Sequence, residues 1–563
     1  MTAGPMDGVG GRARSPEGHA DVRRTPPAQW VRASDIVVDP TPNPAVRLAE
    51  QPLLLALGLY FAAFTVSLLV SFRVTGGQLV YPLDDTYIAM AIAKHFAAGG
   101  VWGVTPYEFA SAASNPFYVL LLAAGYAIAG PLVWLPLALA ITFGVVSLHL
   151  ADQMLPRSSL VRLSGLFALV ILTPLAAMAQ TGMEHTLHIA LTLAFAWRVS
   201  IVIEKRKMDW WLVAIAPLLA MTRFEGLFLV AACVLLMALR RLFVPALVVV
   251  VAAALPVIAY GVLSLSKGWF FLPNSLLLKG AKIGFNPLFS LPVMFFHGEM
   301  LLRRAPHLIG ALMALLAMLF VTRRQGVCKE RVRLWLALLA LLAHLATADI
   351  GWVFRYEAYL MALCAVSVVG AFPLVPSGAA IRLASGIVIL TSIPGVVRTA
   401  QAFTEMPHYA HAIYSQQIQM ARFIARYYAG SSIVLNDIGA VNYMGDVHLV
   451  DLAGLADREV LRHKLEGTYT TAAIAAETSA RRSQIAIVYD DWFSERPFTP
   501  LGGPPLPASW VRVGCWRLPG KQYVGSNTVS FYAVRPEEVP RLNERLAAFA
   551  AELPSYIQRL GIR

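Results

Sequence analysis

Two adjacent carboxylates, Asp84 and Asp85, follow the first long apolar run of the chain and are the first residues whose types and position could do chemistry. Apolar positions then recur at helical spacing: Ile88, Ala91, Ile92, His95 and Phe96. Such a helix would rest at the membrane interface and hold the carboxylates at headgroup height. Acidic side chains are costly near lipid, so a pair kept there is a candidate functional site. The structural alternative is an Asp that caps the helix beside a solvated neighbour.

A carboxylate in that place can accept the proton of an attacking hydroxyl group. Arg and Lys side chains nearby could stabilise negative charge on a departing phosphate. Adjacent residues on a helix point about 100° apart. We therefore expect one of Asp84 and Asp85 to face the hydroxyl group. The other should orient the first carboxylate or bind a cation. Mg²⁺ and Ca²⁺ are the cations that carboxylate and phosphate oxygens hold, but the metal requirement stays open.

The composition places these residues in a membrane protein. The 563 residues are 57% hydrophobic and 14% charged, whereas average soluble domains are about 25% charged. Repeated apolar runs predict a polytopic α-helical membrane protein. The net charge of +13 is concentrated in short loops, which fits the orientation rule for membrane proteins and not nucleic-acid binding. The four cysteines form no CxxC pair, so neither a disulfide framework nor a zinc site is expected.

Four basic loops set the predicted orientation: Arg157 with Arg162, Glu204 to Lys207, Arg240 with Arg241, and Arg323 to Arg333. With these loops in the cytoplasm, about eleven spans follow: 53–72, 132–151, 160–178, 186–203, 210–221, 226–239, 242–263, 308–321, 334–348, 354–372 and 381–397. The short run 117–129, broken by Gly130-Pro131, is interpreted as an interfacial helix. Residues 1–50 are rich in Pro, Gly and Arg and are expected to be a disordered cytoplasmic tail.

The predicted domains are a transmembrane domain, 51–398, with its first external loop at 74–131, and an α/β domain, 399–563, on the periplasmic side. In the second domain the patterns predict strands at 433–435, 447–452, 484–489, 510–516 and 528–534, and helices at 410–428, 471–481 and 539–553. It contains neither GxGxxG nor a P-loop, so nucleotide binding is unsupported. Asp437, Asp446 and Asp451 are interpreted as ordinary turn acids.

The polar residues that interrupt the apolar runs fall on the predicted outer side: Glu184, His185, Arg223, Glu225, Asn274, Lys279, Lys282 and Arg355. Together with Asp84 and Asp85 they predict one charged vestibule, the default hypothesis for an active site. Each also has a structural interpretation. Arg223 and Glu225 could form an ion pair, Glu184 could cap a helix, and the basic side chains could snorkel to the interface.

Several short motifs carry a resemblance to a known family: Leu83 to Ile88, Ser114 to Phe117, Thr181 to Glu184, Thr222 to Gly226, Leu272 to Ser275, Asp437 to Ala440 and Val450 to Leu455. In this order they resemble the GT-C membrane glycosyltransferases, in particular the mycobacterial terminal arabinofuranosyltransferase family. The resemblance implies a polyprenyl-phosphate-linked sugar donor, inverting transfer, and a periplasmic active site in a multi-pass protein of the bacterial inner membrane. It places the catalytic role on Asp84 or Asp85.

The implied activity is transfer of a sugar, arabinofuranose or another pentose or hexose, to a cell-envelope glycan or lipid. Two positions depart from the family pattern, His185 after the motif glutamate and Phe224 between Arg223 and Glu225. These departures leave the sugar and the acceptor open. A flippase or transporter of lipid-linked sugars is the alternative. It should show repeat symmetry and midplane charges, and we find no sequence repeat. A non-catalytic assembly protein would leave the charged vestibule unexplained.

Overall fold

The computed structural model describes residues 51–280, 305–376, 378–496, 499, 501–523 and 525–561. The predicted tail 1–50 and Lys282 lie outside the described residues. Within them the chain is a polytopic α-helical membrane protein with a C-terminal α/β domain, which confirms the predicted fold class. Five helices are long and apolar enough to cross a membrane: Pro52–Val74, Leu135–Met154, His185–Lys205, Phe243–Ser266 and Gly378–Tyr427. Shorter apolar helices occupy Ser159–Leu172, Trp210–Thr222, Gly226–Leu239, Pro306–Val321 and Ala358–Leu374.

The helices that precede the C-terminal domain are numbered in chain order, and the same series continues through that domain. They are α1 (Pro52–Val74), α2 (Asp84–Gly99), α3 (Pro116–Ala129), α4 (Leu135–Met154), α5 (Ser159–Leu172), α6 (Leu175–Gln180), α7 (His185–Lys205), α8 (Trp210–Thr222), α9 (Gly226–Leu239), α10 (Phe243–Ser266), α11 (Asn274–Gly280), α12 (Pro306–Val321), α13 (Lys329–Thr347), α14 (Ala358–Gly370) and α15 (Gly378–Ile413). Every predicted span overlaps one of these helices. Large apolar side chains such as Phe243, Leu247 and Leu255 stay exposed on α10, as expected of a surface that faces lipid.

Helix α2 differs from its prediction. It was expected to rest at the membrane interface, but Tyr87 to Ala93 are all buried. The helix packs against α3 on the membrane side and against a short helix of the C-terminal domain. Lys94 Nζ donates to the Tyr443 carbonyl oxygen at 3.1 Å. The apolar face of α2 is therefore covered by protein, and the helix connects the two parts of the chain.

The C-terminal domain is a six-stranded mixed sheet with helices. Its strands are β1 (Ser432–Leu435), β2 (His448–Asp451), β3 (Ile485–Val488), β4 (Val511–Arg517), β5 (Thr528–Ala533) and β6 (Gln558–Leu560). The order is β2-β1-β3-β5-β4-β6. β1 pairs in parallel with β2 and β3, and β5, β4 and β6 continue the sheet in antiparallel pairs. The five predicted strands are confirmed.

The helices of this domain are α16 (Gln419–Tyr427), α17 (Gly439–Met444), α18 (Arg458–Glu466), α19 (Thr471–Ala480) and α20 (Glu538–Phe549). Strand β6 and helices α17 and α18 were not predicted, and each is too short to show a strong period. The predicted boundary at 398 falls inside α15, which runs on through a π-helical turn, Tyr414–Ile418, into α16. Helix, not linker, therefore joins the membrane domain to the sheet.

Candidate active site

A cavity of about 270 Å³ lies between one end of the membrane helices and the C-terminal domain. The membrane-side wall includes Asp85, Glu184, Arg223 and Arg355, which come from four separate stretches of the chain. Asp84 lines the cavity as well. The structure thus brings together five of the predicted site residues, and the remaining ones lie behind this wall or beside it.

Asp85 carries the carboxylate that faces the cavity, and its side chain is 45% exposed. Its Oδ2 accepts a short hydrogen bond from Nη2 of Arg355. The Arg355 side chain is buried, and its Nη1 contacts the sulfur of Met183 at 2.7 Å. A buried guanidinium thus fixes the position of a solvent-accessible carboxylate.

The turn that presents Arg355 is strained. Trp352, Val353 and Phe354 are three consecutive residues with φ of 40°, 56° and 63°, and each costs about 1–2 kcal/mol in the left-handed region. Glu357 holds this turn, since its Oε2 accepts the Gly351 N–H at 3.0 Å. Its Oε1 contacts Arg398 Nη2 at 2.7 Å and His307 Nε2 at 2.9 Å. Such strain persists where surrounding contacts over-determine it, and it clusters at active sites.

Glu184, Arg223 and Glu225 form one buried network. Arg223 donates from Nη1 to Glu184 Oε1 and from Nη2 to Glu225 Oε1, both at 2.6 Å. Asn115 Nδ2 donates to the other Glu184 oxygen at 2.6 Å. Glu184 occupies the position before α7 but makes no capping hydrogen bond with its side chain. The structural ion pair expected for Arg223 and Glu225 is present, and it also positions Arg223 at the cavity wall.

One aromatic ring lies close to both guanidinium groups of this wall. The carbon centres of Arg355 and Arg223 lie 5.2 Å and 5.5 Å from the ring centroid of Tyr356. Both distances are within the range of cation–π attraction. The ring allows two positive charges to stand close together at the cavity, which suits a ligand with several anionic oxygens.

The Thr181–Glu184 motif is held under α2 by close packing. Gly182 has φ of +61°, and a Cβ at that position would lie 2.2 Å from the Tyr81 ring. Thr86 Oγ1 donates to the Thr181 carbonyl oxygen at 2.8 Å, and Tyr118 OH donates to the Gly182 carbonyl oxygen at 2.7 Å. These contacts fix Glu184 relative to Asp85, because both elements meet at this turn.

Asp84 does a different task from Asp85. Its oxygens accept the backbone N–H groups of Gly439 at 2.5 Å and Ala440 at 2.8 Å, at the start of α17. A Cβ on Gly439 would lie 2.2 Å from the Asp84 carbonyl oxygen, so glycine permits this approach. The sequence left the two carboxylates equal. The geometry makes Asp84 the residue that docks the C-terminal domain and leaves Asp85 for the cavity.

Burial and the nearby carboxyl group of Asp437 raise the pKa of Asp84 well above its ordinary value. The folded protein therefore binds this proton more tightly than the unfolded chain does. The resulting stability is complete below the unfolded pKa, about 4, and is lost as the pH rises through the raised folded pKa. We expect the melting temperature of Asp84→Asn to fall less than that of the wild type as the pH is raised from about 4.

The comparison must be between variants, because other groups titrate as well. Burial raises the pKa of Asp451 to about 6 and of Asp457 to about 7, and lowers that of Lys464 to about 7. Asp446→Asn removes an exposed carboxylate beside Lys94 and should keep the wild-type pH slope. Equal slopes for wild type and Asp84→Asn would contradict the assignment.

The other predicted residues lie around the cavity. Asn274 is fully buried and its Nδ2 donates to the carbonyl oxygens of Gly454 at 3.2 Å and Leu455 at 3.0 Å, so it joins the long loop to the C-terminal domain. His185 lies beside Glu184, 3.8 Å from Nε2 to Oε1. Lys279 belongs to α11, and its side chain lies outside the described part. The residues described contain no cluster of three or more His, Cys, Asp or Glu placed to hold a metal ion.

The second wall of the cavity was not predicted. It comes from the C-terminal domain and includes Gln417, Asn436, Asp437 and Trp492. Asp437 belongs to a motif that the sequence singled out, but it was interpreted as a turn acid. Its position after β1 could have marked it, since ligands bind at the carboxyl ends of parallel strands. Nothing in the local sequence singles out Gln417.

Part of the C-terminal domain matches a known family model, and most of the chain is similar to a solved membrane-protein structure. Residues 409–532 match the family model described as a domain of unknown function, DUF8728. A search of curated proteins finds no match. Among solved structures, the chain is similar to the crystal structure of ArnT from Cupriavidus metallidurans bound to undecaprenyl phosphate, at 12% identity and a TM-score of 0.48. The similarity covers 86% of this chain and 98% of that one. The apo form of the same protein gives 12% identity and a TM-score of 0.45.

Proposed function

We propose that the chain is an integral-membrane glycosyltransferase that moves a sugar from a polyprenyl-phosphate donor to an acceptor hydroxyl group. The observation that carries this proposal is the cavity wall itself. A half-exposed carboxylate, Asp85, is paired with a buried Arg355 beside a second buried cation, Arg223. The wall lies at one end of helices that can hold a prenyl chain. The motifs resembling GT-C glycosyltransferases supply the residues of the same wall.

The proposed reaction uses Asp85 as the general base. Asp85 accepts the proton of the acceptor hydroxyl as its oxygen bonds to the anomeric carbon. The bond from that carbon to the phosphate oxygen breaks, and its electron pair leaves with the polyprenyl phosphate. Arg355 and Arg223 stabilise the added negative charge. Attack opposite the leaving group inverts the anomeric configuration. Arabinofuranose and other pentoses or hexoses remain candidate sugars, with a cell-envelope glycan or lipid as acceptor and a periplasmic active site.

No step of this mechanism passes through a metal ion. The Asp84 carboxylate accepts two backbone N–H groups, and Asp85 is bonded to a guanidinium. This donor set fits protein hydrogen bonding and does not fit the oxygen cage that Mg²⁺ or Ca²⁺ requires.

The direct test is mass spectrometry of cell-envelope glycans and lipid-linked sugars with and without the gene. Loss of one glycan residue, together with accumulation of its lipid-linked donor, is the expected result. Accumulation of the donor on the cytoplasmic side, together with no sugar transfer by the purified protein, would favour the flippase alternative.

Arg355→Ala is expected to weaken use of the donor more than use of the acceptor. The variant removes a buried cation from the place where phosphate charge develops, and a charge-assisted contact of this kind contributes about 1.5–3 kcal/mol. Steady-state kinetics with each substrate varied in turn would measure the effect, as a rise in donor KM and a fall in kcat. Arg355→Lys keeps the charge, so its donor KM and kcat should lie between those of the wild type and those of Arg355→Ala. An unchanged donor KM and turnover in Arg355→Ala would contradict its phosphate role.

A further inference from the structure

The C-terminal wall of the cavity contains buried polar atoms that lack hydrogen-bond partners. Gln417 is 2% exposed, and its Nε2 donates to Asp437 Oδ2 at 2.7 Å and to Tyr489 OH at 2.8 Å. Its Oε1 has no hydrogen-bond partner among the described residues. Gln417 lies in the π-helical turn Tyr414–Ile418. Turns of this kind are rare and frequently occur at functional sites.

Asn436 has an unpaired hydrogen-bond donor, whereas the unpaired atom of Gln417 is an acceptor. It follows β1, and its Oδ1 accepts the Tyr489 N–H at 3.1 Å. The residue is 4% exposed, and its Nδ2 has no hydrogen-bond partner in the described part of the chain. Among the described residues, the C-terminal wall of the cavity thus holds one unpaired acceptor, on Gln417, and one unpaired donor, on Asn436. Leaving such groups unpaired in the folded state is costly, which points to a ligand that pairs with both.

The position of these residues in the sheet supports the same conclusion. β1 lies between the parallel strands β2 and β3. In this strand order the crevice at the carboxyl ends of β1 and β3 is the usual ligand-binding place of an open α/β sheet. Asn436 and Asp437 follow β1, Tyr489 follows β3, and the cavity opens against them.

Aromatic rings complete this wall. Tyr409, Trp492 and Tyr523 line the same cavity, and Tyr409 and Tyr523 meet edge to face at 5.6 Å. Hydroxyl groups both donate and accept, as the unmet atoms of Gln417 and Asn436 require. The C–H faces of a ring that carries them are apolar and pack on aromatic side chains. The guanidinium groups belong to the opposite wall, and the carboxylate of Asp437 disfavours an anion here.

We propose that this wall, formed by Gln417, Asn436, Asp437 and the three aromatic residues, binds an uncharged sugar ring. The inference rests on the proposed glycosyl transfer and deepens it, because it assigns recognition of the sugar to the C-terminal domain. The ring belongs either to the lipid-linked donor or to the acceptor glycan, since both carry the same hydroxyl chemistry.

Saturation-transfer-difference NMR on the full chain in lipid nanodiscs tests the proposal. The protein must be purified without glycoside detergents, because their head groups are themselves sugars. The probes are methyl α-arabinofuranoside, methyl β-galactofuranoside, methyl α-mannopyranoside and methyl β-glucopyranoside, with sodium glucuronate as the anionic comparison. We expect saturation transfer to at least one neutral glycoside and none to glucuronate. No transfer to any neutral glycoside, or equal transfer to glucuronate, would overturn the proposal.

Two variants separate recognition from folding. Asn436→Asp keeps the oxygen that accepts the Tyr489 N–H and replaces the unpaired amide donor with a carboxyl oxygen, which also places a second acidic group beside Asp437. Gln417→Ala removes the unmet acceptor. Its matched control is Gln416→Ala. Gln416 is equally buried in the same π-helical turn, and its Oε1 also has no hydrogen-bond partner among the described residues, but Gln416 bonds to the Ser526 carbonyl oxygen and does not line the cavity. We expect both cavity variants to weaken glycoside binding at least about tenfold and the control to retain it. Glycoside binding by Asn436→Asp at the wild-type level would refute the assignment. This holds whether or not the Gln417→Ala variant is stable.

Competition identifies the source of the ring. Displacement of the bound glycoside by a synthetic polyprenyl-phosphate glycoside of the same sugar, but not by undecaprenyl phosphate, assigns the wall to the donor sugar. Retention of the glycoside in the presence of both lipids assigns it to the acceptor. Binding in these assays requires no turnover, so the wall can be established even if Asp85→Asn retains full transfer activity and the catalytic proposal fails.

Discussion

Asp85→Asn is expected to lower kcat for sugar transfer by about 10²- to 10⁴-fold, the usual contribution of a positioned general base. Asparagine preserves the shape of the side chain but cannot take the hydroxyl proton. The loss should appear in kcat with little change in donor KM, because the Arg355 guanidinium remains in the wall. The measurement is transfer of labelled sugar from a polyprenyl-phosphate donor by the purified protein, with expression and melting temperature compared alongside.

Asp84→Asn is the matched control, since it changes the neighbouring carboxylate in the same helix. Its effect should appear in the stability of the contact with Gly439 and Ala440 and in the pH slope described above. The folded variant should retain a kcat within about tenfold of the wild type, since Asp85 and its partner are unchanged. A large loss of kcat in Asp84→Asn with full activity in Asp85→Asn would reverse the two roles.

Arg223→Met is expected to have the largest effect on stability. The variant leaves Glu184, whose side chain is 1% exposed, and Glu225 without the cation that both contact at 2.6 Å. Removing one partner of a buried ion pair costs about 3–5 kcal/mol, and here two carboxylates lose the same partner. Denaturant unfolding in micelles, followed by tryptophan fluorescence, would measure the change. Donor binding should be lost as well, because Arg223 belongs to the cavity wall.

Arg162→Met provides a comparison away from the cavity. Arg162 pairs with the nearly buried Asp152 through two guanidinium nitrogens, and its side chain is 30% exposed. Partial exposure screens this pair, so its loss should destabilise the protein less than Arg223→Met. The folded variant should keep wild-type kinetics. Equal stability losses would mean that the second carboxylate of the Arg223 network adds nothing.

The sequence was sufficient to predict the elements but not the roles within the acidic pair. Apolar run lengths located the membrane helices, and alternation located five strands, because both patterns record burial directly. Asp84 and Asp85 are alike in type and adjacent in position. Only the approach of Gly439 to Asp84 separates the carboxylate that docks the C-terminal domain from the one that pairs with Arg355, and that approach depends on a residue more than 350 positions away.

The C-terminal wall of the cavity could not be predicted from the sequence for a related reason. Gln417 and Asp437 are 20 positions apart and meet only when the helix that carries Gln417 packs at the end of β1, and this packing leaves no local trace in a sequence. The π-helical turn that carries Gln417 lies within a continuous helical pattern, which hides the extra residue of the turn. The left-handed turn before Arg355 was equally invisible, because Trp352, Val353 and Phe354 are residues that favour extended backbone.

Helical turns run from Gly378 to Tyr427 over 50 residues, one of them π-helical, and form a rod about 75 Å long at 1.5 Å per residue. The sheet domain is therefore attached by a stiff arm, not by a hinge of loose chain. The domain cannot swing away from the cavity without bending that arm. Pro394 and Pro407 are the two prolines inside the helix Gly378–Ile413, and each interrupts its backbone hydrogen bonds. In the proposed glycosyl transfer, the lipid-borne donor and product would exchange sideways from the bilayer or by flexing at these prolines, and stiffening either position should slow product release.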